Sequence, residues 1–145
     1  MVMLLSCAVD PPWGPHSIVF EMTARLALVL GSVLLFVAVA AGAFGAHALK
    51  ARLAPDELGI WQTAVQYHFW HGLGLLAAGL LLLHKPGSTA LAIAGWLFVA
   101  GIALFSGSLY ALALTGVRGL GAVTPVGGVA FLGGWAAMAW AAWRW

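Results

Sequence analysis

Four apolar stretches, each about the length of a bilayer crossing, follow one another between Thr23 and the end of the chain, with charged side chains confined to the breaks between them. A hydrocarbon layer about 30 Å thick takes roughly 20 helical residues at 1.5 Å of rise each, so four such stretches predict four membrane-crossing helices. The chain is 63% hydrophobic and 7% charged, which leaves too little polar surface to cover a soluble core and makes lipid the solvent. The net charge of +2 comes from isolated Lys and Arg at the ends of spans, the pattern of membrane anchors and not of a nucleic-acid footprint. Nucleic acid is excluded as a partner. A single cysteine, Cys7, rules out an internal disulfide.

The expected architecture is all-α, a four-transmembrane-helix bundle made of two hairpins, with spans at about 25–49, 59–84, 88–115 and 125–145. Pro55, Asp56 and Glu57 suit the first turn of the second helix, where proline loses no hydrogen bond and acids complement the positive helix end. Ser88 reads as a helix cap, Gly116 as a stop, and Thr124 before Pro125 as cap plus first-turn proline. Trp61 and the Trp143-Arg144-Trp145 end read as interfacial anchors. Ala38, Gly42 and Ala46, and again Gly133, Ala137 and Ala141, form four-residue stripes of small side chains, through which helices or a second copy of the chain could approach closely. Residues 1–21, rich in proline and lacking a signal-peptide core, read either as a disordered extension or as an over-extended start with Met22 as the initiator. Lys and Arg divide evenly between the two sides; Arg25 ahead of the first span places both termini in the cytoplasm.

Polar chemistry concentrates in the first half of span two, with Gln62, Thr63, Gln66, Tyr67, His68 and His71. Polar residues inside a span usually face the bundle interior. Tyr67 and His71 are one turn apart, His68 lies beside His71, and a short-looped hairpin brings His47 near the same face. Imidazoles bind zinc, copper and haem iron, so His47, His68 and His71 are the candidate metal ligands. No thiolate or carboxylate lies within a span to complete such a site. The plainer expectation is that the histidines hydrogen-bond across helices to Ser106, Ser108, Tyr110 or Thr124, and that no cofactor is held. A proton relay would rest on histidines alone, because Asp10, Glu21, Asp56 and Glu57 all lie outside the spans. Phe105-Ser106-Gly107-Ser108 lacks the acid partner and the strand-to-helix turn of a nucleophile elbow, so no catalytic residue and no enzyme are expected.

Gly42-Ala43-Phe44-Gly45-Ala46-His47, Tyr67 with His71, Phe105-Ser106-Gly107-Ser108-Leu109-Tyr110, Thr124-Pro125-Val126-Gly127-Gly128 and Phe131-Leu132-Gly133-Gly134-Trp135, in that order, resemble the YgdD-like family of small four-span membrane proteins. The resemblance covers residues 22–145 and departs at residues 1–21. It implies a bacterial inner-membrane protein of four helices and supplies no activity, ligand or catalytic residue. It also implies that His47 and His71 belong to the family motifs, while the position of His68 takes glutamine as well. The function expected is that of a small non-enzymatic binding or assembly component in the lipid bilayer; the alternative is a metal-, haem- or proton-handling protein built on histidine.

Overall fold

The computed structural model describes residues 22–145; the two readings of residues 1–21 lie outside the described residues. Among the described residues the chain is all-α, without strands. Helix α1 is Ala24–Phe44, running on through a wide π turn at Gly45–Leu49, and α2 is Pro55–His84. Helix α3, Thr89–Gly101, passes through a second π turn, Ile102–Ser106, into α4, Gly107–Thr115; a 3-10 turn, Arg118–Ala122, leads to α5, Thr124–Trp143.

The ends follow local chemistry. Thr23 Oγ1 accepts from the Leu26 amide, so α1 starts at a true cap. Pro55 occupies the first turn of α2 and Glu57 Oε2 accepts from the Ala54 amide at 2.9 Å, as the acidic first turn predicts. Gly116, at φ +69°, ends α4 in the left-handed conformation that a side chain would disfavour. Thr124 corrects an expectation: it is the first helical residue of α5 and its hydroxyl faces α4 instead of capping.

Helices α1 and α2 form one antiparallel hairpin, and the α3–α4 rod pairs with α5 in a second; α2 also packs along the rod, and the two hairpins meet there. The seams run at seven-residue spacing. Buried positions include Gly31, Ala38 and Gly45 on α1 and the start of its π turn; Trp61, His68, Leu75 and Leu82 with Ala64, His71 and Ala78 on α2; Leu91 and Phe98 with Ala94 and Gly101 on the rod ahead of its π turn; and Gly127, Gly134 and Ala141 on α5. A seven-residue repeat keeps one face of a long helix against a nearly aligned neighbour. The four-residue stripes are therefore only partly right. Ala38 is buried but Ala46 is exposed, and Gly42 and Gly133 meet Val65 and Leu97 of the same chain, which removes these stripes as grounds for a homo-oligomer.

Three helical stretches, Ala24–Leu49, Thr89–Thr115 and Arg118–Trp143, are long and apolar enough to cross a membrane. Their outward faces are apolar: Val29, Val33, Phe36 and Val39 on α1, and Val126, Val129 and Leu132 on α5, are exposed. Helix α2, the longest at 30 residues, carries more polar side chains and falls outside that group. Gln62, Thr63 and Gln66 are exposed on its outer face, contrary to the expectation that they point inward. Trp61 is likewise no interfacial anchor. It is 6% exposed, its indole N–H donates to Ala41 O at 3.0 Å, and it fills the space left by Gly45.

Candidate functional site

The seven-residue register of α2 sets His68 in the row of Trp61, Leu75 and Leu82, and His71 in the row of Ala64 and Ala78. Both imidazoles are thereby turned inward, 3% and 6% exposed. They sit in different surroundings. His68 Nδ1 hydrogen-bonds the Tyr110 hydroxyl of α4 at 3.3 Å, and the Tyr110 ring packs on Trp61 with centroids 4.6 Å apart. This is the cross-helix bond expected from the sequence.

Among the described residues His71 makes no such bond. Its Nδ1–H donates at 2.7 Å to Tyr67 O, the carbonyl four residues back on its own helix, which fixes the tautomer with Nε2 as the lone-pair nitrogen. Its ring lies flat on Phe131 of α5, centroids 3.4 Å apart at 10°, with Phe98 and Trp135 at about 6 Å. Tyr67 stacks on Phe105 at 4.4 Å and closes the aromatic enclosure. The same self-satisfaction recurs at Thr63, His84 and Thr115, whose side chains donate to Gly59 O, Leu80 O and Ala111 O respectively. In lipid this is the local way to satisfy a polar group without a neighbour.

On the second hairpin Ser108 donates to Phe105 O at 3.0 Å and accepts, at 2.8 Å, from Thr124 Oγ1 of α5. Ser106, the last residue of the π turn, is fully buried. Its Oγ and His68 Nε2 are the buried side-chain polar atoms without a protein partner among the described residues. Ser106 and Tyr110 are one turn apart on the rod, so the unpartnered hydroxyl belongs to the same stretch of the α2–rod seam as His68.

Of the eight residues singled out in the sequence, the structure pairs His68 with Tyr110 and Ser108 with Thr124, stacks Tyr67 against His71, and buries Ser106 between them in sequence. His47 stands apart. It lies in the first π turn with its side chain exposed, and no group of three His, Cys, Asp or Glu positioned for a metal ion occurs among the described residues. Sequence reasoning missed the aromatic enclosure of Phe98, Phe105, Phe131 and Trp135. The signal was available: Gly127, Gly134 and Ala141 repeat at seven residues and mark the face of α5 on which Phe131 lies.

A family model described as a protein of unknown function (DUF423) matches residues 41–128. The UPF0382 membrane protein YwdK of Bacillus subtilis is 46% identical over 111 residues, covering 77% of this chain and 90% of that protein. UPF0382 membrane proteins of Staphylococcus epidermidis and Staphylococcus haemolyticus are 49% and 44% identical over 113 residues, covering 77% of this chain and 89% of each relative. No solved structure matches. With its glycine-lined apolar helices and inward-turned histidines, the chain belongs to the DUF423 family, whose relatives here are named as membrane proteins.

Proposed function

We propose that this protein crosses the bacterial cytoplasmic membrane four times, as the resemblance to the YgdD-like proteins implies, and acts there as a small non-enzymatic binding or assembly component. One observation carries the reading: His68, His71, Ser108 and Thr124 are turned onto partner side chains or their own backbone, while the outward faces of α1 and α5 are apolar. Such groups fix helix register instead of offering a reactive surface. The case for α2 as a fourth span rests on the same inward turn. His68 and His71 lower its apolarity, yet neither faces lipid, and from Leu73 to Leu83 its exposed positions are apolar. At 1.5 Å per residue its 30 residues reach about 45 Å, so the Gln62–Gln66 end can stand in the headgroup region while the remainder crosses.

Cysteine labelling in intact cells, in a Cys7→Ser background, tests this. Ala51→Cys and Gly119→Cys are expected on one side, Gly87→Cys on the other. Labelling of Ala51→Cys and Gly87→Cys from the same side would show that α2 does not cross.

A second reading, proton or metal handling, is favoured by the unpartnered His68 Nε2 and Ser106 Oγ. Loss of growth complementation in His68→Gln with unchanged thermal stability, or stoichiometric metal in purified protein lost on that substitution, supports it over the structural reading.

A further inference from the structure

The antiparallel arrangement brings the end of α2, the start of α3 and the end of α5 to one surface of the molecule. There an open cleft of about 400 Å³ is lined by Lys85, Gly87, Ser88, Trp140 and Arg144, a volume within the range of small-ligand sites. Two cations are held at its rim. Lys85 Nζ donates to Arg144 O at 3.1 Å and lies 5.1 Å from the Trp145 ring centroid; the Arg144 guanidinium lies 5.3 Å from that of Trp140. Neither forms an ion pair with a carboxylate among the described residues.

The start of α3, at the same opening, adds positive potential. Ser88 occupies the cap position of α3, but its side chain makes no capping bond, so the first amides of that helix lack the usual acceptor. Gly87, at φ +81°, turns the chain so that Lys85 and the α3 start share the opening. Two cations, an uncapped helix start and a tryptophan rim thus face one opening. Basic pockets between membrane helices hold phospholipid headgroups, and Arg is suited to phosphate by its forked donors.

We propose that this cleft binds a phosphate group, presented by the headgroup of an anionic phospholipid in the leaflet at that end of the helices. The site uses no residue of the buried histidine seam and does not depend on which side of the membrane it faces, so it can fail or stand independently of the function proposed above.

The full chain, purified in neutral detergent, is titrated with phosphatidylglycerol, phosphatidylcholine or inorganic phosphate while its melting midpoint is followed. Phosphatidylglycerol is expected to raise the midpoint saturably, and phosphatidylcholine to do so far less. K85Q/R144Q should weaken the phosphatidylglycerol response about thirty-fold, on the scale of roughly fivefold per interfacial cation. K50Q/R52Q, at the opposite end, should leave it unchanged. Inorganic phosphate that gives the same shift and competes with the lipid would support the phosphate site while assigning its source to a soluble anion. Equal responses to the two lipids, or wild-type phosphatidylglycerol binding by K85Q/R144Q, would overturn the proposal. Should that variant not fold, photo-crosslinking of wild-type protein with a headgroup-labelled phosphatidylglycerol decides: adducts at residues 85–90 or 140–144 are expected, and adducts confined elsewhere refute the site.

Discussion

His68 and His71 stand one turn apart on the same helix, equally buried, and are held by opposite means. His68 is tied by a side-chain hydrogen bond to a neighbouring helix, while His71 satisfies itself on its own backbone and is clasped by aromatic rings. The difference comes from what each faces. His68 meets the rod beyond its π turn, where Tyr110 offers a hydroxyl; His71 meets the seam of α3 and α5, where Gly101 of α3 and Gly134 of α5 let Phe131 and Phe98 pack at closest range. Identical residue type, burial and helix therefore say little about role. In a membrane interior, where apolar burial does not drive helices together, a histidine can serve as a hydrogen-bonding tie or as a flat packing surface.

The heaviest blow to this contrast falls on the aromatic side. Phe131→Ala removes the ring stacked on His71 and leaves a cavity beside Gly101, and should lower stability by about 3 kcal/mol, read as unfolding in detergent. His68–Tyr110 should persist, so a tyrosine fluorescence or NMR signature of Tyr110 that shifts as much as that of Tyr67 would show the two environments to be one. Gly127→Ala comes next, at about 2 kcal/mol, because its new methyl would meet the Phe105 backbone, which cannot swing aside. Gly72→Ala is the control: it meets the end of the Leu35 side chain, which can move, and should cost about 1 kcal/mol or less. Equal costs would deny that the Phe105 backbone is what makes Gly127 intolerant of a side chain.

On the hydrogen-bonded side the effect is smaller. His68→Leu strands the Tyr110 hydroxyl and should cost about 1 kcal/mol, the scale of interhelical hydrogen bonds in membranes, whereas His68→Gln can keep the bond. Combining His68→Leu with Tyr110→Phe should recover most of the loss, since no polar group is then left unpaired. A double variant as unstable as the two single losses added together would show that packing, and not the hydrogen bond, holds this pair.

Helix positions, the glycine stop at Gly116 and the acidic start of α2 were legible because they depend on neighbours in sequence. The inward turn of His68 and His71 was legible too, from their place on one helical face. What escaped was which partner each would choose. Thr124 reads as a cap and instead bonds Ser108; Trp61 reads as an anchor and instead fills the hollow at Gly45; His47 sits one loop away from α2 and still points outward. His47 lies within a π turn, and Ser108, the partner that Thr124 finds, lies just beyond one. An extra residue in the turn at Gly45–Leu49 or Ile102–Ser106 rotates everything beyond it by a large part of a helical step, and no residue pattern in an apolar alphabet marks where that happens.

The subtlest expectation reverses a natural guess about His71. Were its bond to another helix, glutamine would be the gentle replacement and leucine the harsh one. Here Nδ1–H serves Tyr67 O, and that carbonyl remains engaged in the helix when the side chain is gone, so His71→Leu strands no partner on a neighbouring helix. Leucine loses the flat stacking on Phe131 but keeps an apolar fill among Phe98, Phe131 and Trp135, while glutamine can at best reach Tyr67 O with one N–H and must leave the rest of its amide among the same rings. His71→Leu should therefore equal or exceed His71→Gln in melting midpoint, the two differing by about 0.5 kcal/mol, with His71→Phe above both if the ring stack carries the contact. The opposite order from the one expected at His68, measured in one detergent on one day's preparations, is the test. A glutamine variant more stable than the leucine one at both positions would mean that His71 too is tied to a neighbouring helix, and the contrast between the two histidines would fall.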